Sequence, residues 1–374
     1  MSTALPPREA IAHRELVRAA VLAPSPDNNQ PWRFVSQEDR LLVYLDPSRA
    51  LPSDVHAMFD LTGLGAAVEN ACLAARELGH QPHVEYAAER GDAVECGSKP
   101  AAAITCHPSG RPDPLFSYLD QRSTCRKLYS TRPVSQGTLR RIAEEASMFP
   151  EVRLDWVTDR RRIRSFGRLL AASDRIRFEY EPFHNELFRQ LRFTVEEAER
   201  TRDGLDLRTL ELPPGAGAVL KTLRPWKRMR WVHSLGLGGL LTLPSTLSVW
   251  KSGAIGLISV PQPTASSFLR GGQALQRIWL QAAAEGLALH PLGSLPIFLA
   301  HWEQLQGKRL APRHQGKVQR LAERLRQLLP ETRQGTLQIM FRLGYAAPPK
   351  HRSMRRLVDD AHDAFDSSET GVDT

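Results

Sequence analysis

Ala23-Pro24-Ser25-Pro26-Asp27-Asn28-Asn29-Gln30-Pro31-Trp32 sets the frame for the rest of the chain. Closely spaced prolines, two adjacent asparagines and a Pro-Trp pair do not fit a helix interior. Proline lacks an amide donor and fixes φ, and Asn and Asp favour turns. Before this stretch, Arg8 to Leu22 places Ile11, Leu16, Val17, Ala20 and Val21 near helical spacing. After it, Arg33 to Leu45 alternates as two short strands. The segment is therefore expected to be a rigid, polar-tipped loop at a helix end. On composition alone it reads as an ordinary helix–strand connection.

The bulk composition bounds the rest. The 374 residues suffice for one large domain or two ordinary ones, and 41% hydrophobic content supports a core. The net charge of +9 favours anionic partners, such as phosphate-bearing cofactors, nucleic acid or a membrane surface. That excess is spread among arginines, as on a solvated face. Cys72, Cys96, Cys106 and Cys125 show no metal spacing, so reduced thiols and no metal site are expected. His80 and His83 are expected in a polar connection. Met1 to Arg18 lacks an apolar run and carries Glu9 and Glu15, so a signal peptide is not expected. No uncharged apolar run has transmembrane length.

Along the chain, Leu61 to Leu78 reads as a long alanine-rich helix whose small residues allow another helix to approach closely. Gly79 ends it. Val84 to Ala87 and Ala101 to Cys106 read as strands, and Leu115 to Asp120 as a short helix. Arg122-Ser123-Thr124-Cys125-Arg126-Lys127-Leu128-Tyr129, then Pro133-Val134, has the composition of an anion site: two arginines bracket two hydroxyls ahead of a helix capped by Ser135. The same text also suits an exposed basic turn. Arg161 to Glu179 and Glu186 to Arg202 read as helices. Lys221 to Trp231 is basic with interleaved tryptophans, and Ser234 to Trp250 is apolar and glycine-rich. Three readings fit this region: a lid over a site, a partner or membrane-surface contact, or plain packing. A second alanine-rich helix, Arg270 to Glu285, lies between strands at Ile255 to Val260 and Leu337 to Leu343. After it, His290-Pro291-Leu292-Gly293-Ser294-Leu295-Pro296 reads as a tight loop where glycine lets backbone approach a flat ligand. Residues 359–374 are acidic and apolar-poor, and are expected to form a disordered tail.

The run Ala-Pro-Ser, Asn, Gln-Pro-Trp resembles the flavin-facing loop of the nitroreductase family. The Arg122–Tyr129 run with Pro133-Val134 is similar to that family's phosphate motif, and Ser353-Met354-Arg355-Arg356 to its basic C-terminal motif. The resemblance extends from about residue 8 to 360 and is weak over Leu212 to Ser252. Cys125 stands where the Acg-like branch commonly has Asn. The helix–strand order recurs, and the loop motif and phosphate motif fall in different halves. The resemblance therefore implies an Acg-like single-chain pseudo-dimer with an α+β nitroreductase-like fold and one FMN site. Residues 1–110 would form the first half, and residues 111–358 the second, with a lid insertion at about 205–252.

On this resemblance Arg122, Ser123, Thr124 and Arg126 hold the FMN phosphate, closed by Arg355 or Arg356. Pro24, Ser25 and Asn28 face the ring from the first half, and Pro291, Gly293 and Ser294 from the second. Asp27 would add negative charge beside the ring. The flavin carries the redox chemistry, so no protein nucleophile is expected. The implied activity is an FMN-dependent oxidoreductase acting on a small conjugated or heterocyclic substrate. NAD(P)H or a partner reductase would be its donor. The alternative is a flavin-binding or sequestering protein with little NAD(P)H turnover. A nucleic-acid or membrane-surface binder using Lys221–Trp231 is the third reading. The preferred expectation is a cytoplasmic monomer without nucleic-acid or membrane contact.

Overall fold

The computed structural model describes residues 8–86, 97–329 and 335–364. The chain opens with α1 (Arg8–Ala20), the hairpin β1 (Trp32–Gln37) and β2 (Arg40–Leu45), α2 (Met58–Glu77), β3 (His80–Tyr86) and β4 (Ala102–Pro108). It continues with α3 (Gln136–Ala146), β5 (Arg153–Val157), α4 (Arg160–Glu179), α5 (Glu181–Gln190), β6 (Leu191–Arg192), α6 (Val195–Thr201) and β7 (Leu205–Asp206). Then come α7 (Ala216–Thr222), α8 (Trp226–Ser234), α9 (Leu243–Trp250), β8 (Ala254–Val260), α10 (Ala265–Ala284) and β9 (Ala288–Leu292). The last elements are α11 (Ser294–Glu303), α12 (Pro312–Leu328), β10 (Thr336–Gly344) and β11 (His362–Ala364).

Two sheets flank a central helix pair. One has the order β11-β1-β2-β4-β3, and the other β5-β8-β10-β9. Within these two sheets all neighbours are antiparallel except β11, which runs parallel to β1 with Phe34 opposite His362; the short β6 and β7 pair separately, in parallel. Helix α2 is buried from Met58 to Ala75, all the way round, as expected of a helix inside a core rather than on it.

The central contact depends on glycine. A Cβ on Gly65 of α2 would lie 2.0 Å from the Leu269 carbonyl oxygen of α10, and one on Gly272 would lie 2.2 Å from that of Thr62. Polar side chains then fix the register of the pair. Gln273 donates to Glu69 at 3.0 Å, Gln276 to Asn70 at 2.6 Å, and Asn70 to the Ala19 carbonyl at 3.0 Å. Gln338 of β10 donates to both Thr62 and the Phe268 carbonyl at 2.7 Å. Every partner is buried, so shifting the pair would strand several polar groups at once.

Several expectations are corrected. His80 and His83 lie in β3, not in a connection. Glu186 to Arg202 is not one helix: α5 stops at Gln190, and α6 restarts after Thr194. Thr194 Oγ1 accepts from the Glu197 amide, while Glu197 accepts from the Phe193 amide, a reciprocal start signal inside the expected helix. His290–Leu292 belongs to β9 rather than to a tight loop. Pro291 is tolerated there because β9 is an edge strand. The expected tail is ordered over residues 359–364, and β11 crosses the expected boundary near residue 110; residues 365–374 lie outside the described residues. Strand β5 and helices α11 and α12 have no counterpart among the sequence expectations. No helix among the described residues is long and apolar enough to cross a membrane.

The helix contact is open to test. Gly65→Ala should destabilise the protein by about 3 kcal/mol, because the new methyl meets backbone that cannot rotate away. Gly316→Ala in α12 meets only the far end of Arg320, at 3.7 Å. It should be neutral or gain up to roughly 1 kcal/mol. Urea midpoints of the two variants compare them directly, and equal midpoints would show that the close contact does not form.

Candidate functional site

A cavity of about 300 Å³ lies where the Pro24–Asp27 loop, the start of α2, the middle of α10 and the β9–α11 junction meet. The loop can pack here because Gly63 has no side chain: a Cβ would lie 3.2 Å from Ser25 and 3.3 Å from the Pro24 carbonyl oxygen. Asp27, Asn28 and Gln30 all take left-handed backbone with φ of 46°, 58° and 52°, a run that Asn and Asp tolerate better than most residues. The Ser25 hydroxyl accepts from the Gln30 amide at 2.9 Å and closes the turn.

Pro24, Ser25, Thr124, Arg126, Pro291, Gly293 and Ser294 all line this cavity. Phe59, Leu275, Trp279 and Ile339 supply its apolar walls. A basic recess adjoins it, sharing Thr124 and Arg126, and contains Arg122, Ser123, Arg352 and Arg355. Thus ten of the twelve residues singled out from the sequence line this cavity or the recess beside it, which meet at Thr124 and Arg126 and together make a trough.

The other two do not. Asn28 is buried beneath the loop: its Nδ2 donates to the Gly204 and Met354 carbonyls, both at 3.1 Å, and its Oδ1 accepts from Arg355 at 2.7 Å. Arg356 turns away to the carbonyls of Trp32 and Asp360, and its amide donates to Gln30 Oε1. Both are anchors. Asn28 and Gln30 are the clamps that bring the C-terminal arginine segment back to the N-terminal loop.

The recess is electrostatically unbalanced. Arg122 donates to the Leu22 carbonyl at 3.0 Å and stacks on Trp279 at 4.7 Å, but its Nε is buried without a partner. Arg355 Nε is likewise buried and unpartnered. Burial lowers the Arg122 pKa well below its ordinary value, and the neighbouring charges of Arg355 and Arg352 lower it further. Burial, then Arg352, brings Arg355 down to about 10. Cations pushed this way favour a bound anion. Cys125 is buried, with its thiol facing the Ala347 carbonyl at 3.7 Å.

His290, not selected from sequence, completes the cavity wall. Its Nδ1 accepts from Arg342 Nε at 3.1 Å, which leaves the imidazole proton on Nε2. Burial, then the charges of Arg342 and Arg126, holds its pKa well below the ordinary histidine value. The ring is therefore a neutral donor. Arg177, Phe183, Glu186 and Leu187 of α4 and α5 were also missed; they form the outer wall. Nothing in those helices distinguishes them by sequence from a solvated pair. Asp27 faces the cavity, but its charge is paired with Arg177 at 3.0 Å. From the expected lid at 205–252, Leu205 reaches the cavity wall, Thr209 the recess and Arg224 the neighbouring open cleft, while α8 and α9 pack on α4. Among the described residues, no cluster of His, Cys, Asp or Glu could hold a metal ion.

No protein-family model matches the chain. A Mycobacterium tuberculosis (strain CDC 1551 / Oshkosh) relative, uncharacterized protein MT1398, is 30% identical over 356 residues, which is 94% of this chain and 48% of that protein. The chain thus spans about half the length of the curated relative it matches. Among solved structures, the FMN-dependent nitroreductase NfnB from Mycobacterium smegmatis, in complex with NADPH, overlays with a TM-score of 0.35 at 18% identity, covering 66% of this chain and 96% of that one. The FMN- and NADPH-dependent NfnB from Sphigopyxis sp. strain HMH gives 0.37 at 17% identity, covering 67% and 97%. Overlays this slight transfer neither fold nor chemistry to this chain.

The floor beside the cavity carries a pH signature. Asp60 accepts from Asn29 at 2.7 Å and from the Leu51 amide at 3.2 Å, and Asp54 accepts from the amides of Phe59 and Asp60. Burial raises the Asp60 carboxyl to about 7 against the pull of those hydrogen bonds, and Asp54 rises with it. The fold therefore holds a proton that the unfolded chain releases near pH 4. This contribution is complete below about pH 4 and is lost as pH rises through about 7, a change on the order of 4 kcal/mol. Urea unfolding between pH 4 and 8 should show stability falling with pH, with a shallower fall in Asp60→Asn. A flat wild-type profile would show that the pair is ionised throughout.

Proposed function

We propose that this chain binds FMN in the trough and is an FMN-dependent oxidoreductase of the nitroreductase type, acting on a small conjugated or heterocyclic substrate. The observation that carries the reading is the recess of guanidiniums with no carboxylate ion-pair partner among the described residues, adjoining a largely apolar cavity. The buried, unpartnered Nε atoms of Arg122 and Arg355 fit a phosphate, which accepts several hydrogen bonds at once. The motif resemblance at Pro24–Trp32 and Arg122–Tyr129 supports the same cofactor. We read the two sheets and the α2–α10 pair as a single-chain pseudo-dimer with one such site.

Bound flavin would supply the hydride or electron transfer. The protein's own residues bind, orient and exclude water. Arg122, Arg355 and Arg352, with Ser123 and Thr124, hold the phosphate end. Pro24 and Ser25 present backbone to one side of the cavity, and Pro291, Gly293 and Ser294 to another. Arg126 bridges recess and cavity, held by the Thr209 carbonyl at 3.2 Å. His290 offers a neutral Nε2–H to a ring carbonyl or nitrogen. An open cleft lined by Arg189, Arg224 and Arg309 shares Ser53, Phe183 and Glu186 with the cavity. Its positive walls suit an anionic donor such as NAD(P)H.

The purified protein should show flavin absorbance, or gain it on incubation with FMN, and anaerobic NADPH or NADH should bleach it. FMN should bind at least about tenfold more tightly than riboflavin, because only FMN brings the phosphate. Arg122→Gln should reduce that preference by roughly tenfold while sparing riboflavin. A protein that takes up no flavin from excess FMN, or binds the two equally, would overturn the assignment.

A further inference from the structure

The α8–α9 part of the segment expected to be a lid packs on α4 rather than lining the cavity, and its outer surface has an unusual composition. Residues 212–284 contain no Asp or Glu. Within them, Lys221, Lys227, Arg228 and Arg230 are exposed and make no ion pair among the described residues. Helix α8 is fixed by its inner side: Met229 is buried, and His233 Nε2 lies 3.0 Å from the Phe178 carbonyl. This turns Trp231 outward, 65% exposed, on the same face as Lys227 and Arg228, four and three residues earlier.

The chain then enters a short 3₁₀ helix, Leu237–Thr242, through Gly236 at φ 75°. With three residues per turn, positions three apart stack on one edge. Leu237, Leu240 and Leu243 occupy such positions, and all are exposed, Leu240 to 66%. The result is a ridge of leucines beside an outward tryptophan, bordered by unpaired cations. A soluble surface rarely gathers large apolar side chains in this way without a partner.

We propose that this face docks the protein on an anionic phospholipid bilayer. Charge complementarity selects that occupant. The ridge suits the headgroup–acyl boundary, the tryptophan suits the interface itself, and the cations of α8, in a stretch that carries no acid of its own, match a negative surface. A second copy of the same face would instead bring like charges together. The docking is peripheral: Trp231, Leu237, Leu240 and Leu243 line neither the cavity, the recess nor the cleft.

Cosedimentation of the full chain with phosphatidylcholine vesicles containing about one-third phosphatidylglycerol tests it. Binding should appear at low salt, weaken as salt rises, and be far weaker on pure phosphatidylcholine. Lys227→Gln with Arg230→Gln should weaken binding about fivefold per cation removed. Trp231→Ser with Leu240→Ser should abolish stable binding, and flavin content and melting should not change in either variant, since these side chains face outward. Absence of binding at low salt would overturn the proposal. So would binding that neither double variant reduces, or self-association relieved by Trp231→Ser with Leu240→Ser in a protein that ignores vesicles.

Discussion

The contact between α2 and α10 governs the molecule. Two backbones meet through Gly65 and Gly272 at distances that no side chain permits. This closeness puts Glu69, Asn70, Gln273 and Gln276 within reach of one another in a water-free interior. Hydrogen bonds made there are hard to exchange for others, so the pair has one register. The cavity inherits its walls from that register. Phe59, Thr62 and Gly63 come from one helix, Leu275 and Trp279 from the other, and the loop that closes them packs against Gly63.

Chain closure is the second constraint. The trough draws on residues near 24, 124, 291 and 355, which are far apart in sequence. Asn28 and Gln30 join the most distant of these segments, binding Gly204, Arg202, Met354, Arg355 and the Arg356 amide. Strand β11 then pairs with β1 immediately beyond. The Asn and Gln of the opening stretch therefore act on the chain rather than on a ligand. Their amides are suited to this because each side chain donates and accepts at once.

That distinction marks the limit of what the sequence made legible. The helices at Met58–Glu77 and Ala265–Ala284 were visible because long runs of small apolar residues have few other uses. Pro24, Ser25, Arg122 and Arg126 could be selected because proline, serine and spaced arginines restrict local chemistry. The roles of Asn28 and Arg356 were not legible, since an amide or guanidinium that clamps backbone looks the same in sequence as one that meets a ligand. His290 was hidden for a related reason: its tautomer depends on Arg342, a partner 52 residues away that only the pairing of β9 with β10 brings alongside. The break before α6 was obscured by a helical periodicity that Thr194 interrupts with a local cap.

Two buried arginine environments show how one residue type is put to opposite uses. Arg277 lies in the core with Glu69 and Asp113 at 2.9 Å and Glu145 at 2.8 Å, so carboxylates satisfy its charge. Its pKa is raised accordingly. Arg122, Arg352 and Arg355 are held instead by neutral acceptors: the carbonyls of Leu22, Asp120, Arg122 and Met354, and the Asn28 amide oxygen. Carbonyls orient a guanidinium without cancelling it, so the positive charge stays available at the recess. Such a cluster opposes folding through desolvation and mutual repulsion. A ligand that neutralises it would bind the folded chain and not the unfolded one, and would stabilise the fold by mass action.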